Sequence, residues 1–316
     1  MSESPSRRAI LALLTVTVIW GWTFSWMKEA IEAAEHLIGE GALVLVIGVF
    51  MTVRFFIGAV GLPLFVPAAR QGLRTPGVMR SGLFLAGLLL GGFLLQMFGL
   101  DGVSPAVSAF LTSLYVVFTA IWTRYAKKTP LGMATVIGVG LVTIGAAFIS
   151  GPPQLNFDLP EWLTVLCAFM FAAHIIATDS ITKRLPPLAV SVVSFAWVAI
   201  GSAFVLALGI WMRPDLGVQA IIVLLSSMDF MWPVALAGAL GTGVALTLLN
   251  SFQRELSPVR AAILYSLEPV WAAIIALATG LMQLDFWLLV GGGGLLVGNL
   301  IVEVVPRLRR RTGDAQ

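Results

Sequence analysis

The sequence predicts an all-α integral membrane protein: ten transmembrane helices arranged as two inverted five-helix repeats, with N and C termini in the cytoplasm. Three observations carry that prediction. The 316 residues are 59% hydrophobic and 11% charged, with a mean hydropathy of +0.97, whereas a soluble domain is about a quarter charged. Charge-poor stretches long enough to cross a bilayer, about 20 residues each, recur from end to end. A shift of 153 residues lays parts of the second half over the first. Ten such spans leave only short loops, so no additional soluble domain is expected.

Read from one charged or turn cluster to the next, helices are expected near residues 9–27, 42–69, 81–100, 103–123 and 131–150, and again near 161–180, 187–212, 230–253, 257–280 and 285–305. The breaks carry turn chemistry, as in Thr75-Pro76-Gly77, Asp101-Gly102, Thr129-Pro130, Gly151-Pro152-Pro153, Pro186-Pro187 and Arg213-Pro214-Asp215. The first span follows Arg7-Arg8 as a signal peptide would. It carries Trp20, Trp22 and Trp26 and lacks a small-residue cleavage site, so it reads as a retained helix. Residues 29–40 place Glu29, Glu32 and Glu35 on one stripe and predict a separate surface helix. Residues 216–228 are apolar but too short to span, which predicts an interfacial segment. Trp211 and Trp232, near helix ends, suit the aromatic belt.

Orientation follows from the cations. With both termini on one side, that side holds all but three of the 19 Lys and Arg residues; Lys28 and Arg213 fall opposite and Arg54 lies within a span. The positive-inside rule places the termini in the cytoplasm of a bacterial inner-membrane protein. The pI near 9.4 accompanies a net charge of only +3, which loop-end cations explain without a nucleic-acid partner. The single cysteine, Cys167, has no partner for an internal disulfide.

The shift of 153 aligns Ser104-Pro105-Ala106-Val107-Ser108-Ala109-Phe110-Leu111-Thr112-Ser113-Leu114-Tyr115 with Ser257-Pro258-Val259-Arg260-Ala261-Ala262-Ile263-Leu264-Tyr265-Ser266-Leu267-Glu268. It also pairs Val117 with Val270, Ala120 with Ala273, Gly138 with Gly291 and Gly145 with Gly298. Duplication over residues 1–153 and 154–316 is the reading. Five helices per copy, an odd number, send the second copy into the membrane from the opposite side, with a site expected between the halves.

Trp20-Gly21, Arg54-Phe55-Phe56, the Ser-Pro openings at 104 and 257, and Leu267-Glu268-Pro269-Val270 resemble the drug/metabolite transporter superfamily, in its EamA-type ten-helix branch. The resemblance implies substrate movement by alternating access, commonly export of amino acids or related metabolites, with the aromatic-amino-acid exporters favoured. The chain departs from the pattern at Tyr115-Val116, where an acid or polar residue plus proline is often found, and at Lys127-Lys128 and Asp285, where the acid usual after helices 4 and 9 is absent or shifted.

Glu268 falls near the middle of the ninth span, where a carboxylate is costly unless paired, protonated or used. Pro269 predicts a kink beside it. His174 sits at mid-depth in the sixth span, suited to hydrogen bonding or proton transfer and equally to packing. With Asp179 it makes an HxxxxD acyltransferase pattern, but five residues along a helix put the two about 140° apart. Asp179 is expected to pair with Lys183 instead. Arg54 is placed towards the outer end of its span, snorkelling or pairing with an outer acid, and Glu303 is paired with Arg307 or Arg310.

The candidate substrate-binding set comprises Trp20, Thr23, Phe24, Phe93, Gln96, Phe110, Tyr115, Phe171, His174, Asn250, Tyr265, Glu268 and Trp271, aromatic faces with a few polar groups that suit a flat amphipathic solute. Polar Ser113, Thr247 and Ser266 lie at comparable depth. The glycines of the third span, and Gly291 to Gly294 with Gly298, predict close helix approach. The four-glycine run lacks the Lys-Ser/Thr of a phosphate loop. The sequence carries neither a metal-ligand cluster nor a catalytic constellation, so the expectation is no metal, no cofactor and no enzyme. The expected partners are a small-molecule substrate and the lipid bilayer. One chain holds a full pair of repeats, so a monomer is expected. The competing expectation is a proton-coupled multidrug antiporter for cationic compounds, with Glu268 as the exchangeable acid.

Overall fold

A computed structural model describes residues 6–126, 128, 130–148, 152, 157–278, 284 and 286–313, with the side chains at 276, 303 and 306–313 outside the description. Regular structure among the described residues is helical throughout. We number the helices α1 (Arg7–Ile38), α2 (Leu43–Phe65), α3 (Val78–Gly102), α4a (Pro105–Ser113) and α4b (Tyr115–Tyr125), α5 (Met133–Phe148), α6 (Leu159–Thr182), α7 (Pro187–Met212), α8 (Met228–Glu255), α9a (Pro258–Tyr265) and α9b (Glu268–Ala278), and α10 (Phe286–Gly313). Eight candidate spans among the described residues are long and apolar enough to cross a membrane; α5 and the described apolar part of α10, Phe286–Val302, are shorter. Hydrocarbon supplies no hydrogen bonds, so a helix that satisfies its own backbone is the form such sequences take.

The helix starts carry their own chemistry. Ser104 and Ser257 cap α4a and α9a by accepting from the backbone N–H of Val107 and Arg260, each with proline at the first helical position. Asp158 and Glu161 form a reciprocal capping box on α6, in which the Asp158 backbone N–H donates to Glu161 at 3.1 Å. At the far end of α3, Lys28 donates to the carbonyls of Leu100 and Asp101 at 3.2 and 2.9 Å. The predicted Asp179–Lys183 pair is present, at 2.6 Å.

Three features differ from the sequence reading. Residues 29–40 are no separate surface helix: α1 runs unbroken for 32 residues to Ile38, because no glycine or proline stands between Met27 and Gly39, whose positive φ of 80° ends it. At helical rise α1 is about 48 Å long, longer than the hydrocarbon core is thick. The second span stops at Phe65, ahead of Pro67, and a short helix Ala68–Gln71 follows. Within α8, residues Ala237–Leu246 are π-helical, a stretch containing Gly238, Gly241 and Gly243. The short helix Gly217–Ser226 occupies the segment predicted as interfacial. Beside it Arg213 clasps two loops, donating to the carbonyl of Glu40 at 3.0 Å and to the Asp215 carboxylate at 2.8 Å, and its hydrogen bond to Asp215 holds that carboxyl below the usual carboxylate range.

Packing is closest where glycine removes the side chain. An added Cβ on Gly48 would lie 2.5 Å from Cα of Leu206, and one on Gly209 would lie 2.5 Å from Cα of Leu45, so α2 and α7 are in backbone contact and run antiparallel. Gly145 meets Gly291 and Gly294, while Gly138 meets Gly298, which makes α5 and α10 a second antiparallel glycine-lined pair. Replacing Gly48 with Ala should therefore force α2 and α7 apart and cost about 1–3 kcal/mol, the range for overpacking. Gly87→Ala, with nothing within 4 Å, should be neutral or slightly stabilising. Thermal unfolding in detergent checks both.

Candidate functional site

The fourth and ninth spans are both interrupted in mid-course, at Leu114 and at Ser266-Leu267. The shift of 153 brings Leu114 onto Leu267. Pro269 accounts for one break, since it has no N–H to return to the Tyr265 carbonyl. No proline stands near Leu114. What the two share is a serine: Ser113 donates to the carbonyl of Phe110 at 2.7 Å, and Ser266, its equivalent, donates to that of Ile263. The next backbone N–H, of Leu114 or Leu267, then reaches back three residues rather than four, at 3.2 Å in each case. Side-chain donation to a carbonyl one turn back competes with the helical ladder and bends it.

Around these breaks lies a cavity of about 500 Å³ of atom-free space, mouth included. It is lined by Trp20, Thr23, Leu89, Phe93, Gln96, Thr112, Tyr115, Phe171, His174, Ile175, Leu246, Leu249, Tyr265 and Glu268. These come from α1, α3 and α4 of the first half and α6, α8 and α9 of the second. Most fall into pairs three apart: Phe93 and Gln96 match Leu246 and Leu249 at the shift of 153, and Thr112 and Tyr115 match Tyr265 and Glu268. Trp20 and Thr23 correspond to Phe171 and His174 at a slightly smaller shift. On a helix, residues three apart share a face, so each of these helices presents one face to the cavity. Across the breaks, Thr112 and Tyr115 sit on opposite sides of Leu114, as Tyr265 and Glu268 do around Ser266-Leu267.

The profile of the EamA-like transporter family matches residues 7–151 and again 159–304. The chain belongs to that family. This member of the drug/metabolite transporter superfamily is 27% identical over 271 residues to an uncharacterized transporter of Archaeoglobus fulgidus, covering 85% of this chain and 77% of the relative. It is 22% identical over 167 residues to the uncharacterized transporter YoaV of Bacillus subtilis, about half of each chain. A solved crystal structure shares the fold, with a TM-score of 0.66 at 17% identity, over 95% of this chain and 98% of the other. The protein is thus a multi-pass membrane transporter of the EamA-like family.

Of the residues the sequence put forward, this EamA-like chain brings Trp20, Thr23, Phe93, Gln96, Tyr115, Phe171, His174, Tyr265 and Glu268 to the cavity wall. The others sit elsewhere. Phe24 is fully buried in the core around α1 and α2. Phe110 packs with the second cluster. Asn250 donates to Ser191 at 2.8 Å, tying α8 to α7, and Trp271 donates to Thr17 at 2.9 Å, tying α9b to α1. Leu89, Thr112, Ile175, Leu246 and Leu249 line the cavity without having been singled out; the repeat shift applied to Phe93, Gln96 and Tyr265 locates Leu246, Leu249 and Thr112. The Glu303 pairing lies outside the described side chains.

Polar groups in the wall are held from behind. Trp20 donates to the carbonyl of Gly241 in the π-helical stretch at 3.4 Å, and Gln96 donates to Thr112 at 3.3 Å. Tyr265 donates to Gln253 at 3.2 Å, and Gln253, fully buried, donates to the carbonyl of Ile175 at 2.7 Å, joining α9a, α8 and α6. His174 and Thr178 lie 3.5 Å apart on one helix face. The Glu268 carboxyl makes no hydrogen bond or ion pair to any described residue. Arg54 is fully buried rather than snorkelling, and among the described residues no acid pairs with it. Metal-holding clusters are absent among the described residues.

Gln253 makes two buried hydrogen bonds. Gln253→Ala should cost about 1–3 kcal/mol by stranding the Tyr265 hydroxyl and losing the added bond to the Ile175 carbonyl, whereas Tyr265→Phe, which strands only Gln253 Oε1, should cost about 1 kcal/mol. Thermal unfolding of both variants in detergent checks the difference.

Proposed function

We propose that the protein is a secondary transporter that moves amino acids, aromatic ones foremost, or related small metabolites outward across a bacterial inner membrane by alternating access. The observation that carries this reading is the cavity: aromatic faces from both halves, a few hydroxyl and amide groups, and one carboxyl, enclosed among six helices at the level where two of them break. Such a wall suits a solute with a flat apolar body and a charged end. Discontinuous helices at mid-membrane are the device by which secondary transporters present backbone groups to a substrate.

The proposed topology is ten membrane-crossing helices in two inverted repeats divided near residue 153, with both termini cytoplasmic. The antiparallel course of α2 against α7 and of α5 against α10 supports the inversion, and the distribution of Lys and Arg supports the orientation. Chemical asymmetry between equivalent positions, Tyr115 against Glu268 and Thr23 against His174, gives the solute a unique way round. In this reading Glu268 receives its ammonium group, and a single chain suffices for transport.

One observation favours a second reading, proton-coupled efflux of cationic compounds: the Glu268 carboxyl faces the cavity without a partner among the described residues. Counterflow in proteoliposomes loaded with phenylalanine, tryptophan, threonine or a quaternary cation, with and without a pH gradient, separates the two. The amino-acid reading expects saturable aromatic exchange that ignores the gradient, and about a tenfold higher KM in Glu268→Gln, worth about 1.4 kcal/mol. Exchange confined to the cation, driven by the gradient and abolished by Glu268→Gln, establishes the antiporter instead.

A further inference from the structure

Arg54 lies in α2 with no solvent exposure. Its Nε donates to Thr242 Oγ1 at 3.0 Å and its Nη1 faces the Met27 sulfur at 3.5 Å, a weak acceptor; its Nη2 has no partner among the described residues. A guanidinium carries five N–H donors, and among the described residues a single hydroxyl is the only strong acceptor that meets it. Two rings supply the rest of its surroundings, Phe93 with its centroid 4.3 Å from the guanidinium carbon and Phe55 at 5.6 Å. Cations within a membrane protein are kept where they pair or act, and ring faces offset only part of the lost hydration.

The guanidinium stands immediately behind the cavity wall. Phe93, on which it rests, lines the cavity and meets Phe171 of the opposite half edge-on at 5.1 Å. Thr23, also in the wall, borders Gly241, and a Cβ on that glycine would come within 2.8 Å of Thr23 and 3.3 Å of the unpartnered Nη2. Glycine at 241 thus lets Thr23, Nη2 and the π-helical backbone approach one another closely. The same π-helical stretch supplies Thr242, and its Gly241 carbonyl takes the Trp20 indole. One aromatic side chain, Phe93, separates an unsatisfied cation from a cavity that already contains a carboxyl.

We infer that Arg54 binds the carboxylate of the transported solute, reached when Phe93 turns aside, so that the solute class is a small organic carboxylate and, with Glu268 taking an ammonium group, a zwitterion. This rests on the amino-acid reading for the ammonium end only. The planar fork of Nη1 and Nη2 suits a carboxylate held through two parallel hydrogen bonds.

The test compares three probes that share a phenyl ring: phenylalanine, 3-phenylpropanoate, which has only the carboxylate, and phenethylamine, which has only the ammonium. Binding to the purified full chain in detergent is followed by thermal shift. The wild type should bind the two carboxylates at least tenfold more tightly than phenethylamine. Arg54→Met, which removes the cation without stranding a charged partner, should bring the three within threefold of one another. Should that variant fail to fold, Arg54→Lys, which keeps the charge but loses the fork, should weaken both carboxylates at least threefold and leave phenethylamine unchanged. Phenethylamine binding as well as the carboxylates in the wild type overturns the inference, as do a carboxylate preference that survives Arg54→Met or is unaltered in Arg54→Lys, and a lack of carboxylate binding at about 10 mM. Binding of 3-phenylpropanoate through Arg54, with no counterflow of phenylalanine, refutes the amino-acid reading and leaves the inference standing.

Discussion

Hydrocarbon offers the backbone no partner, and nearly everything in this structure follows from how the chain meets that constraint. An intact helix solves it alone, which is why the spans are helices and why their sequences need little besides apolar bulk. An interrupted helix solves it only with help from side chains or from a polar space. The chain interrupts α4 and α9 at equivalent positions, Leu114 and Leu267, and each time a serine hydroxyl takes a carbonyl just before the break. The cavity opens at that level, so the polar space and the irregular backbone justify one another. Moving either break by a turn would part the irregular backbone from the polar space.

The two halves contribute unequally to a nearly symmetric frame. Equivalent faces of α1 and α6, α3 and α8, and α4 and α9 surround the cavity, while α2 with α7 and α5 with α10 stand outside it as glycine-lined pairs. Backbone contact in those outer pairs leaves little room for them to separate, although smooth glycine surfaces tolerate sliding. The inner helices carry the chemical differences. Gln96 faces Leu249 across the pseudo-symmetry, and Tyr115 faces Glu268. The frame is thus nearly symmetric while the cavity wall is chemically one-sided, with Gln96 and Glu268 on different halves.

Much of the frame was legible in the amino-acid order because it rests on long-period signals: apolar length, turn clusters and the shift of 153. The α7 helix, Pro187–Met212, has the bounds that its flanking prolines and Arg213 imply. The break near Leu114 was not legible, because the usual proline is missing and a serine's back-bond depends on its rotamer. The unbroken length of α1 was obscured by an acidic stripe that any exposed helix end can carry. Within the candidate site, depth could be read but helical phase could not. Phe24 and Thr23 are neighbours in sequence, and only the packing of α1 against α9 and α8 sends one into the core and the other to the cavity. Arg54 was expected to snorkel or to pair with an outer acid for the same reason: only the approach of Phe93 and Thr242 from other helices shows that it is sealed inside.

The lone cysteine has a practical corollary. Cys167 is fully buried on α6, 3.7 Å from the Thr112 hydroxyl, on the protein side of the cavity wall. A thiol with no exposed surface is out of reach of water-borne reagents. The native chain should therefore be silent towards water-borne alkylating reagents and spin labels, and a cysteine introduced at the cavity mouth would report by itself. The side from which water reaches each wall position is open to direct chemical mapping without first stripping the background.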